Sequence, residues 1–171
     1  MIIVFTGEGK GKSSAAIGLI IRALGWGKKV EAIFTFKGWW KSGEKKLLEK
    51  LAKDNGNLQL IYFPVTEWVS SPDSKTKEVA SKAIKAVELA IGRKPFLVVA
   101  DELITAYALK LIRIEKLKEV IKLAKKAKVH LVLTGRGWPK KLNTEADIVT
   151  EMKKVVHCYD KGRLAKKGLD W

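Results

Sequence analysis

Short apolar runs alternate with amphipathic stretches along the chain. Residues 2–5 (Ile-Ile-Val-Phe) form an apolar run ending in Thr6-Gly7, the pattern of a buried strand. Residues 13–24 carry apolar positions at Ala16, Leu19, Ile20, Ala23 and Leu24, the i, i+3, i+4, i+7, i+8 stripe of one helix face. Gly25 and Gly27 stop that helix. The same reasoning predicts strands over 30–36, 58–63, 96–100 and 129–133. It predicts helices over 44–53, from Ser71-Pro72-Asp73 to Ile91, over 104–112 and over 114–127. The 96–100 run is continuous and β-branched in its middle, as a strand buried on both faces of a parallel sheet is. After Pro139, residues 146–150 and 154–159 read as strands, with a turn at Asp160-Lys161-Gly162. Strand and helix alternate through residue 133. With right-handed crossovers this predicts an α/β fold, a mostly parallel sheet with helices on both faces, in one domain spanning residues 1–171.

Composition narrows the class. No apolar run approaches the roughly 18–20 residues that cross a bilayer. The first five residues have neither a basic segment nor a cleavage site, so a cytoplasmic protein is expected and no membrane partner. Cys158 stands alone, which excludes an internal disulfide and a four-cysteine zinc site. Thirty-four Lys and Arg against 18 Asp and Glu give a net charge of +16. Only Arg22, Arg93, Arg113, Arg136 and Arg163 are arginine, whereas nucleic-acid readers lean on its bidentate contacts. The lysines fall on predicted helix faces, as in Lys45-Lys46 and Lys125-Lys126, which reads as a solvated surface. A polyanionic partner is the alternative.

The segment Gly7-Glu8-Gly9-Lys10-Gly11-Lys12-Ser13-Ser14 lies between the first predicted strand and the first predicted helix. Glycines let successive backbone N–H groups turn inward around an anion. The following helix adds the positive end of its dipole. Lys12 supplies a charge for phosphate, and the Ser13 hydroxyl can ligate Mg²⁺. Only three residues separate Gly7 from Gly11, so the loop is one residue shorter than the usual phosphate-binding pattern. Asp101-Glu102 ends a predicted buried strand, where acidic residues hold Mg²⁺ in proteins with such loops. Thr134-Gly135-Arg136 ends another, so Arg136 can reach a polyphosphate. His130 falls inside a strand, a structural position. No His-x-x-His, Cys-x-x-Cys or Gly-x-Ser-x-Gly pattern exists, which disfavours a dedicated zinc site and a serine-nucleophile elbow. Trp26, Trp39, Trp40, Trp68 and Trp138 lie near predicted loops, where they can stack bases or line a pocket for a flat ligand.

These residues resemble a known family. Gly9-Lys10-Gly11-Lys12-Ser13-Ser14-Ala15-Ala16 is similar to the shortened loop of the P-loop ATP:corrinoid (cob(I)alamin) adenosyltransferases. Arg22-Ala23-Leu24-Gly25-Trp26-Gly27 and Phe36-Lys37-Gly38 continue the likeness. So do Val99-Ala100-Asp101-Glu102-Leu103, Leu133-Thr134-Gly135-Arg136, Ala146-Asp147-Ile148-Val149-Thr150-Glu151-Met152 and Gly168-Leu169-Asp170-Trp171. Glu8 stands where the family usually has Asn, and Thr35 where it usually has Gln.

The resemblance implies a RecA-like P-loop fold. It also implies that the Co(I) centre of a reduced corrinoid attacks the 5′ carbon of ATP and tripolyphosphate leaves. Lys12, Ser13 and Ser14 would hold the polyphosphate with the backbone from Gly7 through Glu8, Gly9, Lys10 and Gly11. Ser13, Asp101 and Glu102 would hold Mg²⁺, Arg22 and Arg136 would offset leaving-group charge, and Trp68 would face the corrinoid. The resemblance also implies a homodimer, and an acidic flavodoxin-like electron donor fits the lysine excess. Beside this reading stand a kinase or ATPase that cleaves the β–γ bond, and a nucleotide-dependent nucleic-acid-binding protein.

Overall fold

The computed structural model of the chain describes residues 1–37, 42–65 and 72–170. Its strands are β1 (Ile2–Thr6), β2 (Val30–Thr35), β3 (Leu58–Phe63), β4 (Leu97–Asp101), β5 (His130–Thr134) and β6 (Ile148–Glu151), in the spatial order β3-β2-β4-β5-β1-β6. Every pairing between them is parallel. The expected mostly parallel sheet is therefore wholly parallel among the described residues. The helices are α1 (Lys12–Gly25), α2 (Gly43–Asp54), α3 (Ser74–Gly92), α4 (Leu103–Ala108) and α5 (Ile114–Ala127).

The twofold period of the strands explains why both faces carry helices. In β1, Ile2 and Val4 enter the core shared with α3, α4 and α5, while Ile3 and Phe5 turn to the one shared with α1 and α2. β4 divides likewise, Val98 and Ala100 to one side and Leu97 and Val99 to the other. α3 starts at a capping box: Asp73 accepts the Thr76 N–H (2.6 Å) and the Thr76 hydroxyl accepts the Asp73 N–H (2.9 Å).

Two predicted elements end differently. The helix expected over 104–112 stops at Ala108, because Lys110 takes a left-handed conformation (φ 57°) and the Leu111 N–H folds back to the Ala106 carbonyl. Residues 154–159 form no strand. β6 is itself the edge strand beside β1, and beyond Glu151 the chain leaves the sheet to pass the Gly7–Gly11 region. A short 3-10 helix, Cys158–Lys161, follows.

Candidate active site

The Gly-rich loop joins β1 to α1 at the carboxyl ends of the strands, where open α/β sheets bind ligands. Gly7 (φ 99°) and Gly9 are glycine for lack of room. A Cβ on Gly7 would lie 2.5 Å from the Met152 carbonyl oxygen, and one on Gly9 2.7 Å from it. The Gly9 N–H donates to that same oxygen (2.6 Å), and the Met152 N–H donates to Thr6 (2.8 Å). The chain after β6 thus forms one wall of the loop.

Lys12 folds back into the loop. Its ammonium donates to the Gly7 carbonyl (2.8 Å) and the Gly9 carbonyl (2.7 Å), and the residue is buried. Burial lowers its pKa; Glu102 and Glu8 oppose the shift, while Arg136 and Lys37 add to it. Gly11 is the left-handed N-cap of α1, no side chain caps this end, and its first turn carries no acid. The first amides of α1 therefore face the loop as anion donors. Ser14, in that turn, is exposed.

Across the sheet edge, Asp101 ends β4 with no solvent exposure. One carboxylate oxygen accepts from the Thr134 hydroxyl (2.6 Å). The other accepts from the Ser13 hydroxyl (3.2 Å) and pairs with the Lys37 ammonium (2.7 Å). Lys37 also donates to Ser13 and lies 4.0 Å from Glu102. Glu102 is left-handed (φ 60°), a conformation that costs a non-glycine residue about 1–2 kcal/mol. Its N–H donates to the Thr134 hydroxyl (3.0 Å), and its carboxylate accepts from Thr105. Ser13, Asp101 and Glu102 thus converge on a single ammonium. Such hard oxygen donors suit a divalent cation.

Arg136 pairs with Glu8 across the loop mouth (3.1 Å), and both side chains are largely exposed. Lys10 pairs with Asp170 near the end of the chain. Arg22 is not brought to this site. It lies ten residues beyond Lys12 on α1, roughly 15 Å along the axis. There it lines a cavity of about 250 Å³ with Met1, Ile3, Trp26, Phe96 and His130, at the opposite sheet edge. Trp138 is core, its indole N–H donating to Asn143 (2.9 Å), and Trp26 is exposed. Trp39, Trp40 and Trp68 lie outside the described residues.

Lys37, Thr134 and the Met152 wall were not singled out as site components by sequence reasoning. Thr134 and Lys37 sit within segments that resemble the family, but their roles depend on strand order. β2 neighbours β4, which brings Lys37 to Asp101, and β5 neighbours β4, which brings Thr134 there. Glu8 also finds a partner that spacing does not reveal, since Arg136 is remote in sequence.

A glycine loop on a bare helix terminus, a buried lysine, and a serine–aspartate pair at one edge of a parallel sheet define a P-loop nucleotide-binding protein. The sequence matches the family described as ATP:corrinoid adenosyltransferase BtuR/CobO/CobP over residues 1–171, and the chain belongs to that family. It is 34% identical to the corrinoid adenosyltransferase CobA of Salmonella typhimurium over 176 residues, covering 100% of this chain and 85% of that protein. It is 31% identical to the corrinoid adenosyltransferase of Escherichia coli K12 with the same coverage. To the Sinorhizobium corrinoid adenosyltransferase it is 33% identical over 172 residues, covering 100% of this chain and 80% of the other. The chain is thus an ATP:corrinoid adenosyltransferase, which transfers the adenosyl group of ATP to a corrinoid. Family membership decides against the kinase, ATPase and nucleic-acid readings.

Proposed function

We propose that residues 1–171 act as one nucleotide-binding domain that holds ATP with its polyphosphate in the Gly7–Gly11 loop, so that tripolyphosphate departs whole when Co(I) of the corrinoid attacks the 5′ carbon. The observation that carries this reading is the pairing of a short phosphate cradle with a cation-holding cluster at one sheet edge. Lys12 and the first amides of α1 receive the polyphosphate, with Gly7, Glu8, Gly9, Lys10, Gly11, Ser13 and Ser14 around it. Arg136 turns from Glu8 to the departing anion. Ser13, Asp101 and Glu102 hold Mg²⁺, whose charge, when bound, offsets that of the triphosphate. Co(I) is itself the nucleophile, so no general base is required. The protein positions the reactants and stabilises the leaving anion. The place of Arg22 at the opposite edge argues against a role for it within its own chain.

The net charge of +16 supports an acidic flavodoxin-like reductant as the electron source. Family membership supports a homodimer, with Trp68 against the corrinoid. A cytoplasmic location accords with the described residues, none of whose helices is long and apolar enough to cross a membrane. The direct test mixes the protein with ATP, Mg²⁺ and chemically reduced cobalamin and follows the alkylcobalt absorbance. Its appearance only when ATP is present is expected. Production of ADP and phosphate without alkylcobalt overturns the reading.

A further inference from the structure

The cation position formed by Ser13, Asp101 and Glu102 already contains a cation. The chain leaves β2 through Phe36, in a left-handed conformation (φ 60°), and the next residue places its ammonium against all three side chains. The contact to Asp101 is 2.7 Å and that to the Ser13 hydroxyl 2.5 Å. Asp101 has no solvent exposure, and an ionised carboxylate so placed is costly unless it is paired. Two hydroxyls and one ammonium satisfy it.

We propose that Lys37 is a tethered stand-in for the metal: it fills the cation position when no nucleotide is bound, and Mg²⁺ arriving with ATP displaces it. This rests on the magnesium reading above. Mg²⁺ binds oxygen at about 2.0–2.1 Å. An ion at that distance from both Asp101 and Ser13 takes the wedge between them that the ammonium fills. Two cations cannot share it. The exchange replaces one positive charge by two beside Asp101 and Glu102. It also frees the Lys37 ammonium, on its flexible stem, for the triphosphate that enters the same edge. Lys37 is therefore a positioning residue with two stations: it preserves the site while empty and makes metal binding conditional on nucleotide.

The test uses Mn²⁺ as a paramagnetic probe for Mg²⁺, with free Mn²⁺ followed by electron paramagnetic resonance on the nucleotide-free protein. Wild type is expected to bind Mn²⁺ weakly. Lys37→Met should bind it at least tenfold more tightly, and adding Asp101→Asn should abolish the gain. Lys37→Arg should stay as weak as wild type, because it keeps a tethered cation. Lys37→Gln, whose amide can still donate to Asp101, serves as a second neutral variant should Lys37→Met not fold. Equal Mn²⁺ affinity in wild type and the neutral variants, dependent on Asp101, overturns the stand-in role while leaving the metal site intact. Absence of Asp101-dependent Mn²⁺ binding both in the neutral variants and in ATP-loaded wild type overturns the metal reading, and this one with it.

Discussion

Removing the Lys12 side chain probes the loop most sharply, because the proposed reading gives that side chain a second role beside its structural one. Without ligand it is an internal strut, its ammonium 2.8 Å and 2.7 Å from the Gly7 and Gly9 carbonyls. With ATP bound, the reading above has it face the polyphosphate. Lys12→Ala deletes both. A hydrogen bond to a charged group contributes about 1.5–3 kcal/mol. Loss of one such contact to phosphate should therefore weaken ATP binding by about tenfold to 150-fold. The effect on kcat is larger if the contact strengthens as the triphosphate leaves. The fold should lose less. Two carbonyls lose a donor, but an ammonium whose burial already lowers its pKa is no longer desolvated. A net cost of about 1 kcal/mol corresponds to roughly 2–4 °C in melting temperature for a chain of this size. Calorimetric titration with ATP, steady-state kinetics and thermal unfolding measure the three quantities. A folded Lys12→Ala protein with unchanged ATP affinity and unchanged kcat/KM for ATP refutes the reasoning.

Gly9→Ala should lower ATP affinity by about tenfold or more, because its Cβ would meet the Met152 and Lys153 carbonyl oxygens at 2.7 and 2.8 Å and the loop must shift; wild-type affinity by calorimetry would show that the wall yields freely. The Tyr62 hydroxyl is buried with no hydrogen-bond partner among the described residues, and burial, with Glu49 and Glu44, pushes its pKa up from 10.0 to about 12. A raised folded-state pKa makes its contribution to stability complete below pH 10 and lost as pH rises toward about 12. Tyr62→Phe should flatten that alkaline loss in denaturant melts, and a variant that keeps the full loss places its cause elsewhere. If the lysine excess guides an acidic electron donor, donor-dependent turnover should fall with ionic strength while turnover with a chemical reductant holds. Equal salt dependence assigns the lysines to solubility.

Much of this architecture is legible without coordinates. β3 and α5 fall on the predicted bounds, because Asn55-Gly56 breaks the chain before β3 and the helical period of α5 gives way to the continuous apolar run that begins at Val129. The loop and Asp101 were legible because spacing and position at a strand end are local properties. Arg22 shows where motif and geometry part within one chain: the motif match draws it toward the site, yet a helix leading away from the loop carries its last turn to the far edge. Lys37 failed in the other direction. Its segment carries the family likeness, but no local spacing points it at Asp101, and only the β2–β4 pairing delivers it there. The misread strand over 154–159 has a similar origin. Val155 and Val156 are an apolar, β-branched pair as in a strand, but after Glu151 the chain leaves the sheet to wall the Gly7–Gly11 loop, and both are exposed.

The central claim is that the bond broken lies between the 5′ carbon and the α-phosphate oxygen, with the triphosphate leaving as one unit. An ATP analogue with an imido bridge between the β and γ phosphates tests it directly, supplied with Mg²⁺ and chemically reduced cobalamin. The alkylcobalt spectrum should appear and imidotriphosphate should be released, because the bridge is remote from the bond that breaks. An analogue that binds but yields no alkylcobalt, while ATP is turned over to ADP and phosphate, contradicts the account.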